Sequence, residues 1–419
     1  MTGDQDETFR FSYAPSDVRF GRGSTAELGA ELSTRDAERA LVVTGQTVGT
    51  TPAVMDPIQD GLGDHLADVF AETTPDKRLE TAIDAARAME TADADAIVAV
   101  GGGSSLDVAT VARVVAAGER SAASLREELR ERGTIAIPDT ILPSLIAVPT
   151  TLAGAELSQV AGISLDPGAG EEPTGGSVSD PRLMPSAVLA DPELFATTPA
   201  GVLTGSAMNG FDKAIETIYS KRATPFTDGT AVRSLQLLVD GLPRMAADTE
   251  DVDALSTVVR GTLLAQYGVS RPDGSTLSIL HAFGHAIRDA AGVQQGIAHA
   301  VVAPPALAYL LDAVDGRREL LAAGLGVMTD NAEIILQRYG YGGWTYKSII
   351  AVPNDSDIEE LSDLSGKTVA FSDTLSTSGA LYPLYSMSSQ GGLEIGNLPD
   401  GNGSQAEFDA RFAGGHVGS

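Results

Sequence analysis

The pattern of apolar positions changes along the chain and divides it into parts. Four short runs in the first half are apolar throughout rather than alternating, at residues 40–44, 95–100, 144–148 and 187–190. Such runs are typical of strands covered on both faces in a parallel sheet. Longer segments with helical spacing lie between them, for example at 78–90. Alternating strands and helices predict a doubly wound, Rossmann-like α/β domain over residues 1–191.

After Asp191-Pro192 the pattern is helical, with Gly and Pro between the segments and no convincing strand. We therefore predict an all-α domain at 192–327. The longest apolar stretch, 297–314, contains two prolines and an aspartate, which favours a buried helix over a membrane span. Beyond residue 328 aromatic residues and short strand-like runs appear, and this change predicts a third unit at 328–419.

Composition narrows the classes of function. The 419 residues include 57 acidic and 28 basic side chains, no cysteine and a net charge of −29. This charge excludes a nucleic-acid partner, and the lack of cysteine excludes disulfides and thiolate metal sites. Only five of the basic residues are lysines, so the acidic surface is typical of a halophilic protein, with an ordinary acidic protein as the alternative. The polar residues 1–9 do not resemble a signal peptide, which favours a cytoplasmic location.

A glycine-rich turn is the main candidate binding motif. The apolar run at 95–100 leads directly into GGGSSLD at 101–107, and a helical pattern follows. A strand, a glycine turn and a helix N-terminus together can hold a cofactor phosphate, although the alternative is a tight turn without a ligand. Two further hydroxyls, those of Thr150 and Thr151, follow the apolar run at 144–148. They face the same crevice at the carboxyl ends of the predicted strands. The predicted cofactor contacts are Gly101, Gly102, Gly103, Ser104, Asp107, Thr150 and Thr151.

Three of the five histidines fall close together in the helical part, at His281, His285 and His299. His281 and His285 are four residues apart and therefore share one face of a helix. That face has the chemistry for metal ligands or a general acid. The alternative is a pair of structural histidines at a packed interface.

Four motifs resemble the iron-containing alcohol dehydrogenase superfamily, and the resemblance extends from about residue 9 to about residue 327. They are GGGSSLD at 101–107, PTTLAGAE at 149–156, DPELF at 191–195 and HAFGH at 281–285. The resemblance implies that the glycine turn and the two threonines bind NAD or NADP, and that the helical domain supplies the substrate site. The segments ATPFTD at 223–228 and IAHAVVAPPALAYLL at 297–311 are similar to the maleylacetate reductase branch, which reduces an activated double bond without metal.

The chain departs from the superfamily at its metal ligands. An Asp and a His, four residues apart, are replaced here by Asn209 and Lys213, while His281 matches the third ligand and Gln295 replaces the fourth. A lysine repels a divalent cation, so we predict no tight iron or zinc site. Lys213 also departs from the maleylacetate reductase branch. Gly45 stands where many relatives have an acidic residue, so charge does not exclude NADP.

The last part of the chain resembles a different family. The stretch from Tyr346 onward is similar to the phosphate/phosphonate-binding component of ABC importers. The resemblance implies an anion site, with hydroxyls and backbone N–H groups at the start of a helix. Its contact residues are Tyr346, Ser376, Thr377, Ser378 and His416. Because that family's first strands are missing, we expect a partial α/β fragment of the periplasmic-binding-protein type, acquired by gene fusion, rearrangement or frameshift and without a function of its own.

Two functional hypotheses follow. The first is an NAD(P)-dependent oxidoreductase, with hydride transfer to or from a small carbonyl compound, an alcohol or an activated enoate such as maleylacetate. Lys213 and His281 would then supply positive charge, and His285 would donate the proton. The alternative is a phosphate/phosphonate solute-binding protein or a non-catalytic fusion remnant. The expected partner is a small-molecule substrate rather than a nucleic acid or a membrane, with a homodimer left open.

Overall fold

The structure is a computed structural model that describes residues 10–166, 174–314, 316–326, 367–371, 394–395, 406–410 and 416–418. The chain divides into two compact units, Met1–Ile335 and Leu336–Ser419. In the first part of the first unit, strands and helices alternate. They are β1 Asp17–Phe20, α1 Leu28–Ser33, β2 Ala40–Gly45, α2 Gln46–Gly49, α3 Pro52–Leu62, β3 Leu66–Thr73, α4 Leu79–Thr91, β4 Ala96–Gly101, α5 Gly103–Ala116, α6 Ala122–Arg132, β5 Ser144–Pro149, β6 Val160–Leu165, β7 Thr174–Ser179 and β8 Ala187–Ala190.

Six of these strands form one parallel sheet in the order β1-β8-β5-β4-β2-β3. The four predicted apolar runs are its inner strands β2, β4, β5 and β8, and their residues are almost all buried. Helices α1 and α3 pack against the sheet through Leu32 and Ile58, among other residues. The Rossmann-like α/β prediction is therefore confirmed.

The prediction missed the strands that do not lie in the middle of the sheet. β1 and β3 are its two edges, and every residue of β1 is exposed. β6 and β7 form a separate antiparallel hairpin that carries glycines and serines. Edge and hairpin strands need no continuous apolar run, because they are not covered on both faces. Apolar pattern alone could not find them.

The second part of the first unit is helical. Its elements are α7 Pro192–Ala196, α8 Ala200–Tyr219, α9 Pro225–Ala247, α10 Val252–Gln266, β9 Ser270–Arg271, β10 Gly274–Ser275, α11 Ile279–Ala291, α12 Gln295–Ala313 and α13 Arg318–Leu325. The short β9–β10 hairpin corrects the expectation of a strand-free domain. Helix α12 contains all but the last residue of the apolar stretch. It is buried along one face only: Leu307 is 1% exposed, whereas Tyr309 is 76% exposed. Within the described ranges, none of the helices is long and apolar enough to cross a membrane.

Polar side chains fix the start of several of these helices. The Asp191 carboxylate accepts a hydrogen bond from the Glu193 N–H at 3.0 Å and so caps α7. At α9, the Thr224 N–H donates to Thr227 Oγ1 at 2.8 Å, and the Thr224 hydroxyl caps the Thr227 N–H in return. Each cap satisfies N–H groups that a helix leaves without intrahelical partners. The Asp-Pro pair that ends the sheet domain in the sequence thus also begins the helical one.

The described part of the second unit is a four-stranded sheet in the order β11-β13-β14-β12. Its strands are β11 Lys367–Phe371, β12 Glu394–Ile395, β13 Ala406–Ala410 and β14 His416–Gly418. Strand β12 pairs parallel with β14, and the other two pairings are antiparallel. Of the predicted anion contacts, His416 begins β14. Tyr346, Ser376, Thr377 and Ser378 lie outside the described residues.

A buried carboxylate near the sheet edge makes stability depend on pH. Glu31 in α1 is buried and accepts hydrogen bonds from Arg19 Nε and Arg35 Nη1. Burial alone would raise the pKa of this carboxyl, but the two guanidinium groups hold the pKa below its usual value. Such a group stabilises the fold above its unfolded pKa, and this contribution is lost as the pH falls through its folded pKa.

We expect Glu31→Gln to lower the free energy of unfolding by about 2 kcal/mol at pH 7, because two charge-assisted hydrogen bonds are lost. The difference from the parent should shrink as the pH falls below the unfolded pKa of a glutamate, about 4.3, and through the lower folded pKa of Glu31, because the parent carboxyl then also becomes neutral. Urea denaturation at a series of pH values measures both effects. The exposed neighbour Glu27, 3.9 Å from Arg19, is the matched control, and Glu27→Gln should change little. A difference for Glu31→Gln that does not vary with pH would contradict this account.

Candidate active site

The glycine turn lies at the carboxyl end of β4, in the middle of the sheet. Gly101 ends β4 with a φ of +136°, which side chains rarely tolerate, and Gly102 is the N-cap of α5. The first turn of a helix leaves N–H groups without intrahelical partners, and Gly102 has no side chain that could take them. The turn therefore has the backbone geometry that binds phosphate.

The segment 150–157, which we call the β5 loop, packs directly against this turn. The Thr150 N–H donates to the Gly101 carbonyl at 3.0 Å. A Cβ atom added to Gly102 would lie 3.1 Å from Thr151 Cγ2, and one added to Gly103 would lie 3.3 Å from Ala155 Cβ. A side chain at either glycine would therefore press against the β5 loop and displace it by a few tenths of an ångström. Both predicted cofactor segments meet at the carboxyl ends of β4 and β5, as expected for adjacent parallel strands.

Two of the predicted cofactor residues need separate comment. Ser104 is half-buried in the first turn of α5. Asp107 is one turn further on, where its Oδ2 atom lies 2.5 Å from Lys77 Nζ and accepts the Gly162 N–H at 3.1 Å. The Asp107 carboxylate thus attaches the β6–β7 hairpin to α5. These partners give it a structural role that the sequence did not reveal.

Lys213 reaches from α8 to the β5 loop. Its Nζ atom donates to the Ala153 carbonyl at 3.2 Å and to the Gly154 carbonyl. Burial lowers the pKa of Lys213 to about 8, although the carboxylates of Glu156 and Asp107 oppose the decrease. The side chain is therefore mainly an ammonium at neutral pH. Two of its three N–H groups are used by the loop, and one is left for another acceptor.

His281 is buried and held by Glu216, which lies on α8. Glu216 Oε1 accepts the N–H groups of Leu280 at 2.7 Å and of His281 at 3.1 Å, and Glu216 Oε2 lies 2.6 Å from His281 Nδ1. Burial would raise the pKa of Glu216, but these hydrogen bonds from His281 hold it below its usual value. The hydrogen bonds assign the proton to Nδ1, so Nε2 presents a lone pair.

The expectation that His281 supplies positive charge is therefore wrong. Burial lowers the pKa of His281 to about 4, despite the contact with Glu216. At neutral pH the imidazole is uncharged, and its Nε2 atom has no hydrogen-bond partner among the described residues. It can accept a hydrogen bond from a ligand, whereas Lys213 remains the positive charge of this site.

A second buried carboxylate and histidine lie beside the first pair. His299 Nδ1 lies 2.9 Å from Asp212 Oδ2, and both side chains are fully buried. Burial raises the pKa of Asp212 to about 6, while His299 opposes the increase. The His281 and His299 rings meet edge-on, with centroids 4.5 Å apart. Sequence analysis noted His299 but missed Asp212, whose only signal was its position one residue before Lys213.

His285 and Gln295 lie at the outer side of this cluster. His281 and His285 are both on α11, but His281 is buried and His285 is exposed. Gln295 Nε2 lies 3.4 Å from His285 Nε2 and 3.4 Å from His299 Nε2. His285 is thus placed to exchange protons with solvent, and Gln295 links it to the buried rings.

The donors at the four former ligand positions do not fit a divalent metal. Asn209 offers a buried Oδ1 atom that has no partner among the described residues, and His281 offers one imidazole nitrogen. Lys213 contributes a cation, and Gln295 contributes an amide. Within the described ranges, His, Asp and Glu side chains form no group of three or more that could hold a metal ion. An ammonium and neutral amides are poor replacements for carboxylate and imidazole ligands.

The His299 ring occupies space that a glycine leaves open. A Cβ atom added to Gly284 would overlap the His299 ring, which is fully buried and cannot swing into solvent. We expect Gly284→Ala to destabilise the protein by about 2 kcal/mol, as overpacking of a core does. Thermal unfolding measures the change. Gly229 in α9 is the matched control, since nothing lies within 4 Å of its added Cβ and Gly229→Ala should be neutral or stabilising. Equal melting temperatures for Gly284→Ala and the parent would show that the cluster can rearrange.

Comparisons with known families agree with this architecture. Residues 15–192 match the iron-containing alcohol dehydrogenase model, and residues 203–337 match the Fe-containing alcohol dehydrogenase C-terminal model. Residues 322–419 match the periplasmic substrate-binding protein of phosphonate ABC transporters. The predicted resemblance of both parts is therefore confirmed.

Among relatives, maleylacetate reductase 2 of Cupriavidus pinatubonensis is 31% identical over 78% of this chain and 80% of its own length. NAD-dependent methanol dehydrogenase of Bacillus methanolicus is 27% identical over 78% of this chain and 85% of its own length. These dehydrogenase and reductase relatives favour an oxidoreductase over the solute-binding alternative.

A solved structure described as a putative alcohol dehydrogenase from Ralstonia eutropha superimposes with a TM-score of 0.64 and 28% identity, covering 76% of this chain and 80% of its own. Maleylacetate reductase from Agrobacterium tumefaciens gives a TM-score of 0.62 and 25% identity, covering 77% of this chain and 82% of its own. The shared fold includes both the sheet and the helical part. The chain is therefore an enzyme of the dehydrogenase/reductase type and belongs to the iron-containing alcohol dehydrogenase family.

Proposed function

We propose that this protein is an NAD(P)-dependent reductase that works without bound iron or zinc. Its substrate would be a small carbonyl compound, the corresponding alcohol or an activated enoate such as maleylacetate. The observation that carries the proposal is the closed contact between the glycine turn and the β5 loop, with Lys213 of the helical part bonded to that loop. Relatives named maleylacetate reductase and NAD-dependent methanol dehydrogenase support the reaction class.

The cofactor would lie across the carboxyl ends of β4 and β5. Gly102 and Gly103 would present backbone N–H groups to its pyrophosphate, with Gly101, Ser104 and the two threonines at its border. When bound, the nicotinamide supplies or accepts the hydride. Gly45 has no charge that would repel a 2′-phosphate, so both NADH and NADPH are candidate cofactors.

The helical part would bind the reacting end of the substrate. The third N–H of Lys213 would stabilise negative charge that develops on a substrate oxygen. His281 Nε2 would accept a hydrogen bond from a substrate hydroxyl, because it is unprotonated. His285 is exposed and would donate the proton that accompanies hydride addition to the carbon. The same groups would act in reverse on an alcohol.

The proposed metal independence rests on the chemistry of the donor set. Lys213 would take over the electrostatic role of a metal ion, since its charge lies near Glu156 and the β5 loop. A compact ammonium can stabilise an oxyanion but cannot share its position with a divalent cation.

The enzymatic proposal is tested by oxidation of NADH and NADPH by the full chain with aldehydes, enals and maleylacetate-like dicarboxylates. Turnover should be unchanged after dialysis against a strong chelator, and elemental analysis should find no stoichiometric iron or zinc. Close to one tightly held metal ion per chain, or loss of turnover that added metal restores, would refute the metal-independent mechanism. Failure to bind either nucleotide would refute the reductase itself.

Lys213 provides a sharper test of mechanism. We expect Lys213→Ala and Lys213→Gln to lower kcat at least about tenfold, because one stabilising donor is lost in the transition state. Lys213→Gln keeps an N–H donor for the loop carbonyls, so its nucleotide affinity should stay close to that of the parent. Lys221 is exposed and lies two residues beyond the end of the same helix, which makes Lys221→Ala the matched control. Wild-type kcat in Lys213→Gln would remove Lys213 from the catalytic machinery.

A further inference from the structure

The β5 loop is held from the helical part by more than Lys213. It follows β5 and packs on the glycine turn, so its shape determines one wall of the proposed cofactor site. At its start, Thr198 Oγ1 donates to the Thr150 carbonyl at 2.7 Å. Two further side chains of the helical part form hydrogen bonds with the loop, and both are buried. They are Ser206 on α8 and Gln266 at the end of α10.

Gln266 is the most extensively bonded of these side chains. It is 2% exposed, and its Oε1 atom accepts the Leu157 N–H at 3.2 Å. Its Nε2 atom donates to Glu156 Oε1 at 2.8 Å and to the Thr262 carbonyl at 3.3 Å. Because an amide oxygen must face the Leu157 N–H, the amide nitrogen must face Glu156. The amide therefore matches the loop in one orientation only.

The loop also packs tightly against Gln266. Gly154 has a φ of +72°, and a Cβ atom added to it would lie 3.0 Å from Gln266 Cδ and 3.1 Å from Lys213 Nζ. Glu156 is 2% exposed, and burial raises its pKa, while Gln266 and the charge of Lys213 oppose the increase. Around Gly154 and Glu156 the loop thus has little space in which to relax if the amide were lost.

Ser206 supports the other end of the loop. Its hydroxyl accepts the Leu152 N–H at 3.0 Å and donates to the Leu203 carbonyl at 2.8 Å. The two supports bind backbone N–H groups five residues apart, on either side of Ala155, the residue that lies against Gly103. Fixing both ends of a short loop fixes the segment between them.

We propose that Gln266 and Ser206 are positioning residues that set the β5 loop in its nucleotide-binding shape, so that the helical part controls cofactor affinity from behind the loop. Neither residue touches the proposed reacting atoms. The inference rests on the proposed function for its ligand, NADH or NADPH, but the conformation of the loop is independent of that function.

The test exchanges the partners of one hydrogen bond. Gln266→Glu places two carboxylates in contact and should raise the dissociation constant of NADH or NADPH about tenfold or more, the effect of an unsatisfied buried polar group. Adding Glu156→Gln restores an amide opposite a carboxylate and keeps an acceptor for the Leu157 N–H. The double variant should return to within about threefold of the parent. Nucleotide fluorescence titration measures the constants, and hydrogen exchange of residues 150–157 is measured without nucleotide.

Ser206→Ala is the second variant, for the case in which Gln266→Glu does not fold. It should raise both the dissociation constant and the exchange of the loop. Ser234→Ala is the matched control, because the buried Ser234 hydroxyl donates to the Gly261 carbonyl at 2.7 Å, away from the loop. It should change neither quantity. Parent-like affinity and exchange in Gln266→Glu or Ser206→Ala, or a double variant no better than the single one, would overturn the proposal. If the parent protein binds no nucleotide, the proposed function is refuted. Hydrogen exchange of residues 150–157 would still show whether Gln266 and Ser206 hold the loop.

Discussion

The parallel pairing of β4 with β5 is the constraint on which the site depends. Neighbouring parallel strands have their carboxyl ends on the same side of the sheet, so the chain segments that follow them lie side by side. The glycine turn and the β5 loop therefore touch without any other element between them. Lys213, Ser206 and Gln266 of the helical part bind this loop, which makes the pairing the common base of the proposed cofactor and substrate sites.

The helical part buries several ionisable side chains in one cluster. Asp212, Glu216, His281 and His299 lie together with almost no access to solvent, and Lys213 adds a fifth ionisable group. Buried charges are tolerated when each has a partner, and here carboxylates face imidazoles while the ammonium faces carbonyls. Glu216 and Lys213 are hydrogen-bonded within the protein. His281 Nε2, Asn209 Oδ1, His299 Nδ1 and both Asp212 oxygens are buried without a hydrogen-bond partner among the described residues, although Asp212 Oδ2 lies 2.9 Å from His299 Nδ1.

Much of this architecture could be predicted from sequence, and the exceptions have a common cause. The inner strands were found because a strand covered on both faces must be apolar throughout, and the glycine turn because its backbone tolerates no side chain. The partners of Asp107, Lys213 and Gln266 could not be predicted, because they lie up to about 110 residues away along the chain. The neutral state of His281 likewise depends on burial, which a sequence pattern does not report. The sequence therefore indicated which segments form the candidate site, while the charge of each group required the structure.

The connection between the sheet and the helices has a mechanical consequence. Strand β8 ends at Ala190 and α7 begins at Pro192, so a single residue joins the two parts at this point. That residue, Asp191, is buried and uses its side chain to cap α7, while the proline that follows has a fixed φ. A hinge needs several residues with free backbone angles, and this junction offers almost none. The two parts are therefore joined stiffly at this junction, and α8 can rotate relative to the sheet without breaking the cap only beyond α7, from residues 197–199 onward.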